Sequence, residues 1–339
     1  EFLTIPLLTV AAWRDSAYVP RTCWMFPGRS KWFHEVVLPF WDDRLFMENF
    51  HMTKQTLFSI ADKLRPYLFR NDTVMRTAVP VEECVAIGVY YLACKTCYGS
   101  LVHLFAKGKS IIANIVIEFC LAMEYVLLCQ EIKLTDFNKE IKLQGDCDAD
   151  GIFFSIRVGH SGVTHDAHVF RSSLLFKEME AGTFVPGNPL MNCAGVTIPP
   201  IILGDGAYPL RNWLMKPYSF PKTDREQKFN KMLNKCRNVI ERAFGRLKAR
   251  FRRLSVKIDA QIQNVNSIIA AAVIIHICER NNHILPEGEI EPLDEIEADP
   301  EDHLLDDDNS NTEAEQGEAV RNAIANYIFD HVTVQLFYW

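Results

Sequence analysis

The hydrophobic rhythm of this chain changes once, near residue 140, and that change divides what it can fold into. Up to residue 128 apolar side chains recur at helical intervals: Phe50, Leu57, Ile60 and Leu64 along FHMTKQTLFSIADKLRPYL, then the runs Val81 to Ala93, Tyr98 to Phe105 and Ser110 to Leu128. Spacings of three and four residues put these side chains on one helix face, which must be covered by another layer. From Leu143 the pattern shortens. Ile152 to Val158 and Ile198 to Leu203 read as strands, Phe170 to Met179 as a helix between them, and two helices follow over about Phe229 to Leu254 and Val265 to Cys278. Alternation of this kind predicts an α/β layer structure preceded by a helical domain.

Within the helical part, Pro80 marks a start and Lys107-Gly108-Lys109 a short turn, after which Ser110 is the expected N-cap of the third helix. Helix, turn, helix at this spacing is the geometry by which a helix enters a major groove, and it makes Lys107 and Lys109 candidate DNA contacts. The third helix opens on Ile111-Ile112-Ala113-Asn114, which is poor in the side chains that read base edges, so a purely structural three-helix unit stands beside that reading. The stretch before it, with Trp13, Trp24, Trp32 and Trp41, reads as a small helical packing unit.

Charge matters here through its distribution. The net charge of −7 conceals fifteen Asp or Glu and no Lys or Arg between Glu287 and Glu318, so the remainder carries +8. A basic body with a separate acidic segment suits a protein that meets nucleic acid. Ten irregularly spaced cysteines fit a reducing compartment, nucleus or cytoplasm, and the single Cys94-x-x-Cys97 pair lacks the second half of a zinc site. The strongly apolar run Ile268 to Ile275 is too short to cross a bilayer, so no membrane is expected. The chain opens on Glu1 rather than Met, as a fragment or an imperfect gene model would.

Two acids carry the chemistry. Asp205 follows the apolar run Ile201-Ile202-Leu203, and Glu241 lies inside RNVIERAFGRLKARFRRL, with 35 residues between them. A carboxylate at the end of a buried strand, joined by one from a helix, is a way to hold divalent cations for phosphodiester chemistry. Gly204 and Gly206 leave Asp205 accessible, and the face of Glu241 also carries Arg237, Gly245, Lys248 and Arg252, whose cations suit phosphates. The plainer reading is a strand-to-turn Asp and a solvated amphipathic helix with an internal Glu241–Arg237 pair. His160, His165 and His168 do not share a helical face and so make a poor metal set.

Six ordered blocks, PVEECVAIGVYYLA, LFAKGKS, LQGDCDADGIFF, VGHSGVTHDAHVFRSS, ILGDGAYPL and FNKMLNKCRNVIERAFGRLKARFRRL, give the chain a resemblance to the Harbinger (PIF) type of transposase and its domesticated nuclease relatives, in the DDE superfamily. The resemblance implies an RNase H-like DDE domain, a mixed sheet with helices, behind a helix-turn-helix-like domain. It implies a nuclear, metal-dependent endonuclease acting on DNA, with a two-ion Mg²⁺ or Mn²⁺ site and a separate DNA-binding partner protein. The expected divisions are an N-terminal helical segment over 1–75, the helix-turn-helix-like domain over 76–128, the nuclease domain over 129–285, an acidic linker over 286–318 and a C-terminal helix over 319–339.

By this resemblance Asp205 matches the second catalytic Asp and Glu241 the catalytic Glu, both as metal ligands. The first Asp of the family lies in a G-x-x-D-G-T-H strand that this sequence lacks; only CQEIKLTDFNKEIK stands between Leu128 and Leu143. Loss of such a bridging ligand is expected to cost on the order of 10³-fold in rate. Asp148, with Asp146 two residues away on a predicted strand, is the substitute ligand to consider, and Asp166 beside His165 a weaker one. Two other outcomes remain open: a non-catalytic DNA or chromatin-binding protein, and a skipped coding segment that transcript sequencing across codons 128 to 145 would reveal.

Overall fold

The structure is a computed structural model that describes residues 32–74, 77–131, 134–137, 143–158, 170–193, 195–258, 260–282 and 311–331. Trp13, Trp24, Asp166, the histidines at 160, 165 and 168, and the acidic stretch as far as residue 310 lie outside these. Helices and strands are mixed, as the change of rhythm predicts.

A wide helical turn, Trp32–Val37, runs through Leu38–Phe40 toward α1 (Asp43–Phe50) and α2 (Lys54–Leu68). Each begins where a side chain satisfies a free amide: Asp42 Oδ1 accepts from Leu45 N–H at 2.7 Å, and Thr53 Oγ1 from Thr56 N–H at 3.1 Å. Helices α3 (Val81–Ala93) and α4 (Tyr98–Phe105) match their expected spans. Helix α5 (Lys109–Glu131) begins one residue early, so Ser110 lies within its first turn instead of capping it.

The following strands are short. The first three, β1 (Leu134–Phe137), β2 (Leu143–Cys147) and β3 (Phe153–Val158), form a sheet in the order β1-β3-β2, parallel for β1–β3 and antiparallel for β2–β3. After α6 (Leu174–Glu180) come the hairpin β4 (Met191–Cys193) and β5 (Val196–Ile198), then the parallel pair β6 (Ile202–Leu203) and β7 (Leu214–Met215). The expected single strand from Ile198 to Leu203 is therefore two. Pro199 and Pro200 stand between them, and proline can neither donate to a ladder nor continue a central strand. Asp148, placed by alternation on a strand, lies one residue beyond β2, where a bulge at Asp146/Cys147 breaks the register. The described strands thus lie in three small sheets.

Helix α7 (Asp224–Arg250) is fixed at its start by a capping box between Thr223 and Glu226. It ends before a short 3₁₀ turn, Arg252–Ser255, which takes Arg252 off the helical face that sequence spacing assigned to it. Helices α8 (Ile262–Asn282) and α9 (Asn311–His331) complete the described chain. Helix α9 starts eight residues before the expected 319, and so takes in the end of the acidic stretch.

One apolar core runs from Phe33 to Ile275 and does not pause at residue 75 or 128. Helix α8 packs along α5, and its Ala270, Ala271 and Ala272 are fully buried. Phe153 and Ile156 of β3 and Ala243, Leu247 and Phe251 around the end of α7 enter the same core. By length and composition α5 is the one described helix able to cross a bilayer, yet Ile112, Val116, Phe119, Met123 and Leu127 bury one side of it in this core.

A buried acid alters the reading of the α4–α5 turn. Glu83 on α3 is buried and receives Lys107 Nζ at 3.0 Å, with His34 Nε2 at 3.5 Å. Lys107 is thereby committed to the interior rather than free for phosphate, whereas Lys109 is exposed.

His51 closes α1 in the left-handed region, at φ 54°. Burial, helped by the charges of Arg252 and then Arg250, lowers its imidazole from 6.5 to about 4. Since the unfolded chain binds this proton more readily, stability rises with pH between about 4 and 6.5 and is lost as pH falls through that window. With the shift discounted for partial exposure, wild type should lose about 1–2 kcal/mol more than His51→Asn between pH 7 and pH 4. Urea unfolding at the two pH values checks this; Asn keeps the left-handed preference without the titration.

Candidate functional site

Strand β6 ends in a tight turn. A side chain at Gly204 would come within 3.1 Å of Tyr208, so the glycine allows that ring to fold back. Asp205 Oδ1 accepts from Ala207 N–H at 3.0 Å, so one carboxylate oxygen serves the turn, as the plainer reading expects. The other, Oδ2, lies 3.8 Å from Arg237 Nη2 on α7. Strand β7 runs parallel to β6 and delivers Lys216 to the same end. Burial pushes the Lys216 ammonium down and Arg321 adds to this, while the charge of Asp205 pulls it back up. Asp205 is therefore an acid among cations.

Glu241 is exposed on α7, one turn beyond Arg237 or about 6 Å along the axis. The expected Glu241–Arg237 pairing gives way to an Arg237–Asp205 contact, which brings this stretch of α7 beside the end of β6. Lys248 and Arg252 are exposed further along.

Asp148 has a different task. Its Oδ1 accepts from Asp150 N–H at 3.0 Å and Ile152 N–H at 2.8 Å, closing the β2–β3 turn. Arg246 Nη2 donates to Asp150 O at 3.2 Å, so this turn meets α7 nine residues past Arg237, about 13 Å along the helix. Among the described residues no three His, Cys, Asp or Glu side chains lie close enough to hold a metal ion, so Asp205, Glu241 and Asp148 do not form a ligand set. The donors here do not fit a two-cation centre, which needs several oxygens converging on each ion.

Two basic residues escaped the sequence reading. Lys216 follows a strand of only two residues, too short to show a period, and Arg211 is buried before that strand. The Leu214-Met215-Lys216 run was the one available signal for the former.

Comparison with known proteins fits this region. Residues 136–276 match the family model described as DDE superfamily endonuclease. The human protein named "Putative nuclease HARBI1" is 29% identical over 133 residues, which cover 38% of this chain and 34% of the relative. The Arabidopsis thaliana "Protein ALP1-like" is 30% identical over 116 residues, covering 34% of this chain and 29% of the relative. The matched stretch thus spans about a third of the length of these relatives. No solved structure matches the chain. Over residues 136–276 the chain is thus similar to DDE superfamily endonucleases, the superfamily of the Harbinger type that its sequence blocks resemble.

Proposed function

We propose that this protein is a transposase-derived, duplex-DNA-binding member of the DDE superfamily whose phosphodiester hydrolysis is crippled. The observation that carries this reading is the setting of Asp205, which faces Arg237 at 3.8 Å and the half-buried Lys216 where an intact centre would gather further acids. In relatives with a full set, divalent cations supply an activated water and a stabilised leaving oxygen. The basic charge outside the acidic stretch, with Arg237, Lys248, Arg252 and Lys109 at accessible positions, supports contact with phosphates rather than bases.

A nuclear location and an RNase H-like ancestry follow from the same reading. So does a separate partner protein that reads sequence, because the first turns of α5 expose only Lys109, Ser110 and Asn114, a short set of side chains for reading base edges. Helix-turn-helix recognition by this chain alone is the weaker alternative.

Purified protein should shift duplex DNA with a steep salt dependence. Replacing Lys248, Arg252 and Lys109 together by Ala should reduce the slope of log K against log salt by about 3. Supercoiled DNA with Mn²⁺ tests the chemistry, and nicking should stay within a few-fold of the Asp205→Ala control. Efficient nicking that Asp205→Ala abolishes would restore the intact endonuclease reading, and a protein that fails to bind duplex DNA in low salt would end both.

A further inference from the structure

A cavity of about 300 Å³ lies at the opposite end of the parallel β6–β7 pair from Asp205. Arg211, Trp213, Glu180, Phe184 and Asn188 line it, and the first turn of α9 closes it with Glu313. Arg211 is only 6% exposed. Its Nη1 lies 3.3 Å from Glu313 Oε2, and its Nε finds no hydrogen-bond partner among the described residues. A guanidinium cannot discharge itself by losing a proton, so a buried one with an idle donor is a standing demand for an acceptor.

The wall is built rather than incidental. Gly182 and Gly187 take φ of 67° and 76°, Asn188 a φ of 37°, and a side chain at Gly182 would meet Asn188 Nδ2 at 3.0 Å. The second acid of the cavity, Glu180, is already engaged, accepting from Trp213 Nε1–H at 2.9 Å. Glu313 is held more loosely, with its side chain 43% exposed.

We propose that this cavity binds the oxyanion of a small molecule, a phosphate or carboxylate group, on the guanidinium of Arg211 and in competition with Glu313. The planar fork of arginine donors matches either group in a bidentate mode, and Glu313 already presents one such group from within the chain. The volume is at the lower end for small-molecule sites, which admits a monophosphate or a short dicarboxylate and leaves out a nucleic-acid strand. Glu180 selects against ligands of high negative charge. A ligand that takes Arg211 releases Glu313 to solvent and loosens the first turn of α9.

Isothermal titration of the full chain, without DNA or divalent metal, tests this with inorganic phosphate and succinate as separate probes. At least one should bind wild type, and Glu313→Gln should tighten it about fivefold, the worth of one partly exposed ion pair. Arg211→Lys should lose the binding, and hydrogen exchange over residues 311–316 of wild type should quicken when the probe is added. Binding of phosphate alone, or of succinate alone, assigns the group. If neither probe titrates into wild type or Glu313→Gln, or if Glu313→Gln binds no tighter than wild type, the proposal falls, whether or not Arg211→Lys folds.

Discussion

Gly88→Ala is expected to destabilise the protein by about 2–3 kcal/mol, although the same change in an open helix is worth about 1 kcal/mol in the other direction. The reason is the crossing of α3 and α5. A Cβ on Gly88 would lie 2.2 Å from Phe119 Cδ1 and 2.4 Å from its Cγ, inside any real contact. The ring has little room to retreat, because Phe119 is fully buried in the close-packed apolar core to which Val85, Ile87, Val116 and Met123 also belong. Phe119→Ala should cost about 3–5 kcal/mol through lost burial and the void left behind. The double variant should lose less than the two single losses combined, because the small side chain at 119 makes room for the methyl at 88. Urea unfolding of the three variants measures this. A Gly88→Ala protein more stable than wild type would show that the α3–α5 packing is not as described.

The same crossing shows which parts of the fold the sequence made legible. Helices α3 and α4 could be bounded to the residue because the apolar repeat is long and Pro80 and the Lys107–Lys109 turn punctuate it. That Gly88 receives Phe119 could not be read, since no local pattern says which residue a partner helix will set against a glycine. Strands of two and three residues, such as β6, β7 and β4, hold no full period, and the parallel β1–β3 register depends on neighbours far away in the chain. The run from Ile198 to Leu203 looked continuous because hydrophobicity alone ignores what two prolines do to a ladder.

At the candidate site the residue types and elements of Asp205 and Glu241 were legible, and so was the proximity of α7 to the strand end. Partner choice was not. Spacing of four residues favours Arg237 with Glu241, yet Arg237 turns to Asp205, where tertiary packing brings a less exposed carboxylate within reach. Lys107 looked like an exposed turn cation because the sequence does not reveal that Glu83 is buried beneath it. Arg211 and Glu313 are about a hundred residues apart, so no spacing rule could have joined them.

Gly317→Val should release the C-terminal helix, with a loss of about 3–5 kcal/mol. A Cβ at Gly317 would lie 2.9 Å from the backbone carbonyl carbon of Arg211, 3.0 Å from Leu210 Cγ and 3.1 Å from Arg211 N, and backbone cannot swing aside as a side-chain tip can. The helix must lift, and it takes its other contacts with it. Val320 and Ala325 leave a small core shared with Cys193, Ile198, Met215, Phe229 and Leu233. The Tyr218 hydroxyl loses Asn322 Oδ1, which it meets at 2.6 Å, and Arg321 leaves the Tyr218 ring, 4.0 Å away. Arg225 Nη1 gives up Asn326 Oδ1 at 2.6 Å, and Lys228 gives up the carbonyl of Phe329 at 3.2 Å. Limited proteolysis read by mass spectrometry should then show fast cleavage within 311–331, with wild type and the exposed-site control Glu315→Gln protected. Equal protection in Gly317→Val would mean that α9 does not rest on the Leu210–Arg211 backbone. Because α9 covers Arg225 and Lys228 on the first half of α7, the released variant should also bind duplex DNA more tightly, an effect that 0.5 M salt should erase.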